Sequence, residues 1–348
     1  MCQHRTNRVR RLSAVALCVA AVGLGSIALA QARGRHTASR TQVLQALAAS
    51  FVDNFTRAVP IAAIPPGTMT EDEAYQVADF YVSALMRQYG AVAGYKVATF
   101  ATGAYDRGPV NGLSGPKTAV MLSKGLLPSG AHIDIECCNM TFVEADFVAE
   151  VGHDRINDAH TDVELLSALR GMRPFIEMPD LLEPASGRTD IEAIATNYDF
   201  RHGILGDLIP VEATAEGLTR LNTFTYQVTN ESGEVLGGGA IADAYAPLYR
   251  VRALRDRLRQ RGRRLKAGDY LSLGNMGTIR PLKANRYMPD QPLFRGRQAT
   301  VTYVGLDPRG PASVSVYIDR PRVAASTSRP CARLRQRGAD RHRPDVAR

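Results

Sequence analysis

Cysteine spacing of the kind that holds zinc is absent from this chain. Its 348 residues include five cysteines. None forms a Cys-x-x-Cys pair, and the histidines are not clustered, so neither a zinc site nor a dithiol redox motif is indicated. There is no Gly-x-x-x-x-Gly-Lys-Ser/Thr phosphate loop. Gly237, Gly238 and Gly239 lack the spacing of a dinucleotide fingerprint and read instead as a strand kink or a close backbone approach. Ser114 lies in a Gly-Leu-Ser-Gly run, but Pro116 follows and breaks the nucleophile-elbow pattern. Nucleotide hydrolysis, hydride transfer and Ser–His–Asp or Cys–His catalysis therefore find no support. No internal repeat is present, which argues against a solenoid or a propeller.

One long apolar run exists. It extends from Leu12 to Ala30, follows the basic residues Arg8, Arg10 and Arg11, and ends in Ala28, Leu29 and Ala30 before Gln31. That is the form of a signal peptide with its cleavage site. A retained span needs ~20 strongly apolar residues, and Gly23, Gly25 and Ser26 weaken this one. Residues 1–30 therefore read as a signal peptide, and the mature protein is expected in the periplasm or outside the cell, without a stable membrane anchor. Cleavage leaves Cys137, Cys138 and Cys331. Export permits disulfides, but adjacent cysteines rarely bridge each other, so free thiols are expected.

Charge is uneven. The formal net charge is +9, and arginines concentrate at the two ends. From Arg320 onward Arg, Pro, Ser and Ala dominate without apolar periodicity, so 319–348 reads as a disordered basic tail. Basic tails can bind nucleic acid. No recognition motif or aromatic interleaving accompanies this one, and nucleic acid is not an expected partner.

Between the ends, residues 31–40 form a polar linker and 41–92 a helical region. Val43, Leu44, Leu47, Phe51, Val52 and Phe55 recur at helical spacing. Thr70 and Glu73 form a capping box for a second helix that ends near Gly90. From Tyr95 the period changes to two. Strands are expected over 95–100, 132–135, 141–151, 175–178, 223–229, 235–241, 270–273, 300–304 and 313–318. Capping boxes at Thr161/Glu164 and Thr189/Glu192 open short helices, the first running to Gly171, and an Arg-rich helix runs from Leu248 to near Gly262. Many strands with few helices between them disfavour a doubly wound sheet, and an α+β fold is expected over 93–318.

The most informative pattern is acidic. Glu144 and Asp146 alternate in the apolar run from Phe142 to Val148, and Glu177 precedes Met178 and Pro179. Strand side chains alternate faces, so Glu144 and Asp146 point the same way, roughly 6.6–7 Å apart along the strand. Paired carboxylates repel unless a cation lies between them, and Mg²⁺ or Mn²⁺ takes such oxygen ligands. The same alternation is also the ordinary signature of a strand with one solvated face.

Five segments, in order from Val92 to Val316, together resemble the 2-keto-4-pentenoate hydratase branch of the fumarylacetoacetate hydrolase superfamily, which includes 2-hydroxypenta-2,4-dienoate hydratase and oxalocrotonate decarboxylase. They are Gly94–Lys96, Pro128–Ile133, Phe142–Gly152, Pro174–Asp180 and Lys266–Gly274. The resemblance implies a distorted β-sheet roll with an N-terminal helical hairpin. It implies Mg²⁺ or Mn²⁺ on Glu144, Asp146 and Glu177, with Asp146 standing where the family has Glu. Lys96 would grip the carboxylate of a small anionic 2-oxo acid, and Glu144 and Lys96 would be the catalytic pair. Glu150 reads as a structural acid, and Asp180 as a cap for the turn after it. The run Ala195 to Asp199 resembles the family's Ala-Asp-Asn-x-Ser segment, which lines the substrate pocket. Asn197 is retained there, while Thr196 and Asp199 replace the Asp and the Ser. These residues imply either an exported hydro-lyase, or a decarboxylase or C–C hydrolase of the same superfamily. A non-catalytic binder of small acids, or a decayed homologue, is the reading from a different class. Assembly into a homo-oligomer is left open.

Overall fold

A computed structural model describes residues 38–98, 116–241, 246–284, 289–320 and 332–333. The expected signal peptide, most of the expected linker, Ser114, Cys331 and nearly all of the expected basic tail lie outside the described residues. Chain contacts divide the protein into residues 1–44 and 45–348. Of the first unit, only Ala38 to Leu44 are described, and they enter the first helix. The second unit carries the rest of that helix and all the elements that follow.

Helix α1 (Arg40–Arg57) buries Leu44, Ala48, Phe51 and Phe55, a narrower stripe than the periodicity suggested, because Val43 is exposed. Helix α2 (Glu71–Tyr89) begins at the expected capping box. The Thr70 hydroxyl accepts from the Glu73 amide at 3.2 Å, and the Glu73 carboxylate accepts from the Thr70 amide at 2.9 Å. Among the described residues no helix is long and apolar enough to cross a membrane.

Strands then follow: β1 (Val92–Ala98), β2 (Lys117–Leu122), β3 (Leu126–Pro128), β4 (Ala131–Asp134) and β5 (Phe142–Val151). Helix α3 (Asp162–Ala168) leads directly into β6 (Leu169–Met178), and α4 (Asp190–Ala195) precedes β7 (His202–Leu205). Next come α5 (Ala215–Thr223), β8 (Thr225–Asn230), β9 (Val235–Ala240) and α6 (Pro247–Gln260). The chain finishes with β10 (Tyr270–Ser272), β11 (Ile279–Pro281), β12 (Gln298–Val304), β13 (Ala312–Asp319) and β14 (Ala332–Arg333).

One sheet has the order β2-β1-β10-β5-β6-β7-β3, with β11 also on β5, and the other has the order β14-β4-β13-β12-β8-β9. Both mix parallel and antiparallel neighbours, so the α+β expectation holds. Helix α3 stops earlier than expected, because Leu169 and Gly171 pair with Val151 and Glu150 and extend β6. Gly171 is required there, since a Cβ would lie 2.4 Å from the Ile209 carbonyl oxygen. The two residues of β14 pair with Ile133 and His132, so part of the expected disordered tail is described as strand.

The layers join through Phe147, Phe224 and Tyr303, whose ring centroids lie 5.1–5.9 Å apart. The buried Tyr303 hydroxyl accepts from the Phe175 amide at 3.4 Å and donates to the Asp146 carbonyl. The second sheet thereby props the backbone that carries Asp146. Cys138 is a free thiol, as expected, and its Sγ lies 3.3 Å from that of Cys137.

Candidate functional site

Register places the acids. Glu144 on β5 is the direct cross-strand partner of Glu177 on β6, and Asp146 faces Phe175. Directly opposed side chains share a face, so all three acids lie on one side of the sheet. Lys96 on β1 joins them through β10, since Lys96 pairs with Ser272 and Ser272 with Val148. Gly94 makes this possible. A Cβ at Gly94 would lie 2.0 Å from the Tyr270 carbonyl oxygen, so only glycine lets β1 lie this close to β10. Gly203, opposite Glu177, is excluded from carrying a side chain by the Phe175 ring.

The polar contacts within the cluster are specific. Lys96 and Glu177 form an ion pair whose side chains are 7% and 2% exposed. The Lys96 ammonium also lies 3.4 Å from the Tyr198 carbonyl oxygen. Ser272 donates to Asp146 Oδ2 at 2.6 Å, and the Phe147 amide donates to Asp146 Oδ1. Asn275 bonds Glu144, which keeps some solvent contact. Next to the acids lies an apolar floor of Met121, Val148, Phe175 and Phe200.

Electrostatics shows what this cluster lacks. Burial and repulsion from Glu177 push Glu144 up to about 8. Burial and the same repulsion push Asp146 up to about 7, against the bonds from Ser272 and Phe147. For Lys96, burial opposes its charge, but attraction from Glu177, Glu144 and Asp146 wins and holds it above the ordinary lysine range. With all three carboxylates ionised, the one ammonium among the described residues of the cluster leaves two negative charges, which one divalent cation would cancel. The donor set therefore fits a hard cation in type, face and charge. As the side chains stand, no three His, Cys, Asp or Glu among the described residues are gathered to hold a metal. Coordination would require Glu177 to turn from Lys96 or to be shared with it.

These shifts predict a pH response of the metal-free protein. Both acids titrate higher folded than unfolded, so the native state holds extra protons between pH ~4 and ~8. Their contribution is complete below the unfolded value and is lost as pH rises through 7 and 8. His202 acts oppositely. Burial, with Arg201 beside it, drives its imidazole down to about 3, so its contribution is complete above pH ~6.5 and is lost as pH falls. Between pH 6.5 and 8.5, urea unfolding in chelator should show stability falling by about 1.4 kcal/mol per pH unit for each proton still held. Glu144→Gln should flatten that slope. An equal slope in both proteins would show that the acids are not the source.

The sequence also singled out Asn197 and Asp199. Asn197 spends its side chain on the β2 backbone, with Oδ1 accepting from the Val120 amide at 2.7 Å and Nδ2 donating to the Val120 carbonyl at 2.9 Å. Asp199 accepts from the Thr196 hydroxyl at 3.0 Å and pairs with Arg188 at 2.5 Å. Asn197, Tyr198 and Asp199 all have positive φ, at 56°, 46° and 55°. Each such residue costs ~1–2 kcal/mol, and runs of them are rare. The Tyr198 carbonyl links this segment to Lys96, and the Asp199 carboxylate, raised by burial, also feels the Lys96 charge. Glu150 is structural, held by Arg170 and Arg173 at 2.7 Å each. Asp180 does not cap the turn that follows it. It accepts from the Met140 amide at 2.8 Å and pairs with Arg201 at 2.8 Å, because it is fully buried and needs a cation.

Sequence reasoning missed Ser272, Arg188 and the Tyr198 carbonyl. Ser272 sits at an alternate position of a segment already singled out, and its strand phase could have placed it beside Asp146. Nothing in the sequence marks Arg188 or a backbone carbonyl.

No protein-family model matches this chain, and no curated protein matches it. Solved structures do. The 4-oxalocrotonate decarboxylase of Pseudomonas putida G7, complexed with calcium and acetate, superposes with a TM-score of 0.62 at 19% identity, over 81% of this chain and 99% of that one. The same enzyme complexed with magnesium and adipate gives the same values. At this identity the likeness shows the fold: an α+β architecture of the fumarylacetoacetate hydrolase type.

Proposed function

We propose that this chain is a divalent-metal-dependent enzyme of the fumarylacetoacetate hydrolase superfamily, acting as a hydro-lyase of the 2-keto-4-pentenoate hydratase kind on a small 2-oxo or 2-hydroxydienoic acid. The observation that carries this reading is the set of Glu144, Asp146 and Glu177 on one sheet face with Lys96 among them, two positive charges short of balance when all three acids are ionised. Mg²⁺ or Mn²⁺ held by the three carboxylates would supply an electron sink for the 2-oxo group. The chain's own residues do the remaining work. Lys96 offers the substrate carboxylate a positive partner in the cluster. Ser272 fixes the rotamer of Asp146. The floor of Met121, Val148, Phe175 and Phe200 excludes water and strengthens each charge interaction.

Decarboxylation is the second reading. It draws on the fold shared with 4-oxalocrotonate decarboxylase, and loss of CO₂ from a 2-oxo acid uses the same sink. At the segment where the sequence departs from the family pattern, Thr196 and Asp199 are bonded to each other. Export belongs to the same proposal, and N-terminal sequencing of the secreted form should begin at Gln31.

The test uses the chain from Gln31 with Mg²⁺ or Mn²⁺. Loss of dienol absorbance is followed with 2-hydroxypenta-2,4-dienoate and with 4-oxalocrotonate. Metal-dependent turnover of the first supports hydration, and turnover of the second with release of CO₂ supports decarboxylation. Chelator and Glu144→Gln should each abolish it. Absence of both Mn²⁺ binding and turnover would end the reading.

A further inference from the structure

The left-handed run at 197–199 is the most unusual backbone among the described residues near the acids. Its three residues are 5%, 9% and 2% exposed. None is glycine, and the run is fastened on every side. Asn197 clamps both backbone groups of Val120. Asp199 is fixed by Thr196 and Arg188, and its carbonyl accepts from the Asp180 amide at 2.9 Å. The Arg188 guanidinium lies 5.4 Å from the centre of the Tyr198 ring. This backbone meets Lys96 through the Tyr198 carbonyl oxygen, 3.4 Å from the ammonium, while the Asp199 carboxylate attracts the same ammonium electrostatically.

We propose that residues 196–199 are a positioning device for Lys96: Asn197 and Asp199 hold a strained backbone whose Tyr198 carbonyl aims the ammonium, and neither side chain binds substrate. This deepens the reading above and rests on it for the role of Lys96. The physical need is clear. Lys96 has a long, flexible stem, and its ion-pair partner Glu177 is the same carboxylate a metal would claim. Without a second acceptor, the ammonium would follow Glu177 or swing away when that happened. A carbonyl held by backbone strain elsewhere keeps the donor in place without adding another negative charge.

The test has two arms. In the first, Mn²⁺ and then oxalate are titrated into wild type, Asn197→Gly, Lys96→Met and the double variant. Glycine tolerates the left-handed conformation, so the clamp is removed without new strain. Asn197→Gly should leave the Mn²⁺ dissociation constant within twofold and weaken oxalate at least tenfold. The double variant should bind oxalate no more weakly than Lys96→Met alone, since Asn197 acts through Lys96. Additive losses would overturn the proposal, because they would mean that Asn197 touches the ligand itself.

The second arm needs neither metal nor ligand. Acetic anhydride labelling of the metal-free protein is read at each lysine by mass spectrometry. Asn197→Gly, and the milder Thr196→Val, should speed labelling of Lys96 at least tenfold while Lys283 is unchanged. An unchanged rate at Lys96 in both variants would overturn the proposal even where oxalate binds. If wild type binds neither Mn²⁺ nor oxalate but the labelling result holds, the proposed function fails and the positioning device stands.

Discussion

Lys96→Met is expected to cost the metal-free protein about 3–5 kcal/mol at pH 8, the range seen when one member of a buried ion pair is removed. Both partners are desolvated: the Lys96 side chain is 7% exposed and that of Glu177 is 2% exposed. Methionine preserves most of the stem's packing, so the loss would be electrostatic. It leaves Glu177 unpaired directly opposite Glu144, with Asp146 one alternation further along. The loss should shrink at pH 6, where Asp146 and Glu144, raised to about 7 and 8, carry protons. Mg²⁺ should restore part of it, by supplying the cation the cluster then lacks. A further Glu177→Gln change should also recover stability, because it removes the orphaned charge. Urea unfolding of the three proteins at both pH values measures each effect. A loss below about 1 kcal/mol, typical of a solvated pair, would mean that water reaches the cluster and that its charge imbalance is screened.

That cluster was legible in the sequence to a definite depth. Alternation put Glu144 and Asp146 on one face, and the run before Met178 supplied Glu177. The first inference needs only the two-residue period of a strand; Glu177 joined the set through the family resemblance. What alternation cannot supply is the partner strand, and the opposition of Glu144 to Glu177 is a matter of register. Elements marked by strong local chemistry, such as the capping boxes at Thr70, Thr161 and Thr189, begin where the sequence puts them. Elements made by tertiary pairing were missed. Strand β2 carries a buried Lys117, held by Glu71 at 2.9 Å, which reads as surface in the sequence. Strand β7 consists of His202, Gly203, Ile204 and Leu205, and it is a strand because β6 and β3 flank it. Helix α5 has Gly217 inside its first turn and few apolar residues, so neither propensity nor period announced it. The Tyr198 carbonyl belongs to the same class, because a backbone atom leaves no residue type to read.

Arg201 illustrates the point with a comparably large expected effect. Its side chain is 1% exposed, its Nε lies 2.8 Å from Asp180 Oδ2, and it donates to the Phe55 carbonyl at 2.5 Å. Its guanidinium sits 3.6 Å from the centre of the Phe55 ring. Arg201→Met should cost about 3–5 kcal/mol, because Asp180 is left as a buried, uncompensated acid. Arg201→Lys should recover little, since a point charge replaces a planar fork that pairs, donates and stacks at once. Asp180→Leu placed on Arg201→Met should restore part of the loss by removing the orphaned charge. The effect should also reach the acid cluster. The Asp180 amide donates to the Asp199 carbonyl, so loosening Asp180 loosens the run that carries Tyr198. Arg201→Met should therefore weaken oxalate more than Mn²⁺, whereas a change elsewhere in the core with the same loss of stability should weaken neither. Losses in the double variant that add to those of Arg201→Met and Asp180→Leu alone would show that the two residues do not act as a pair.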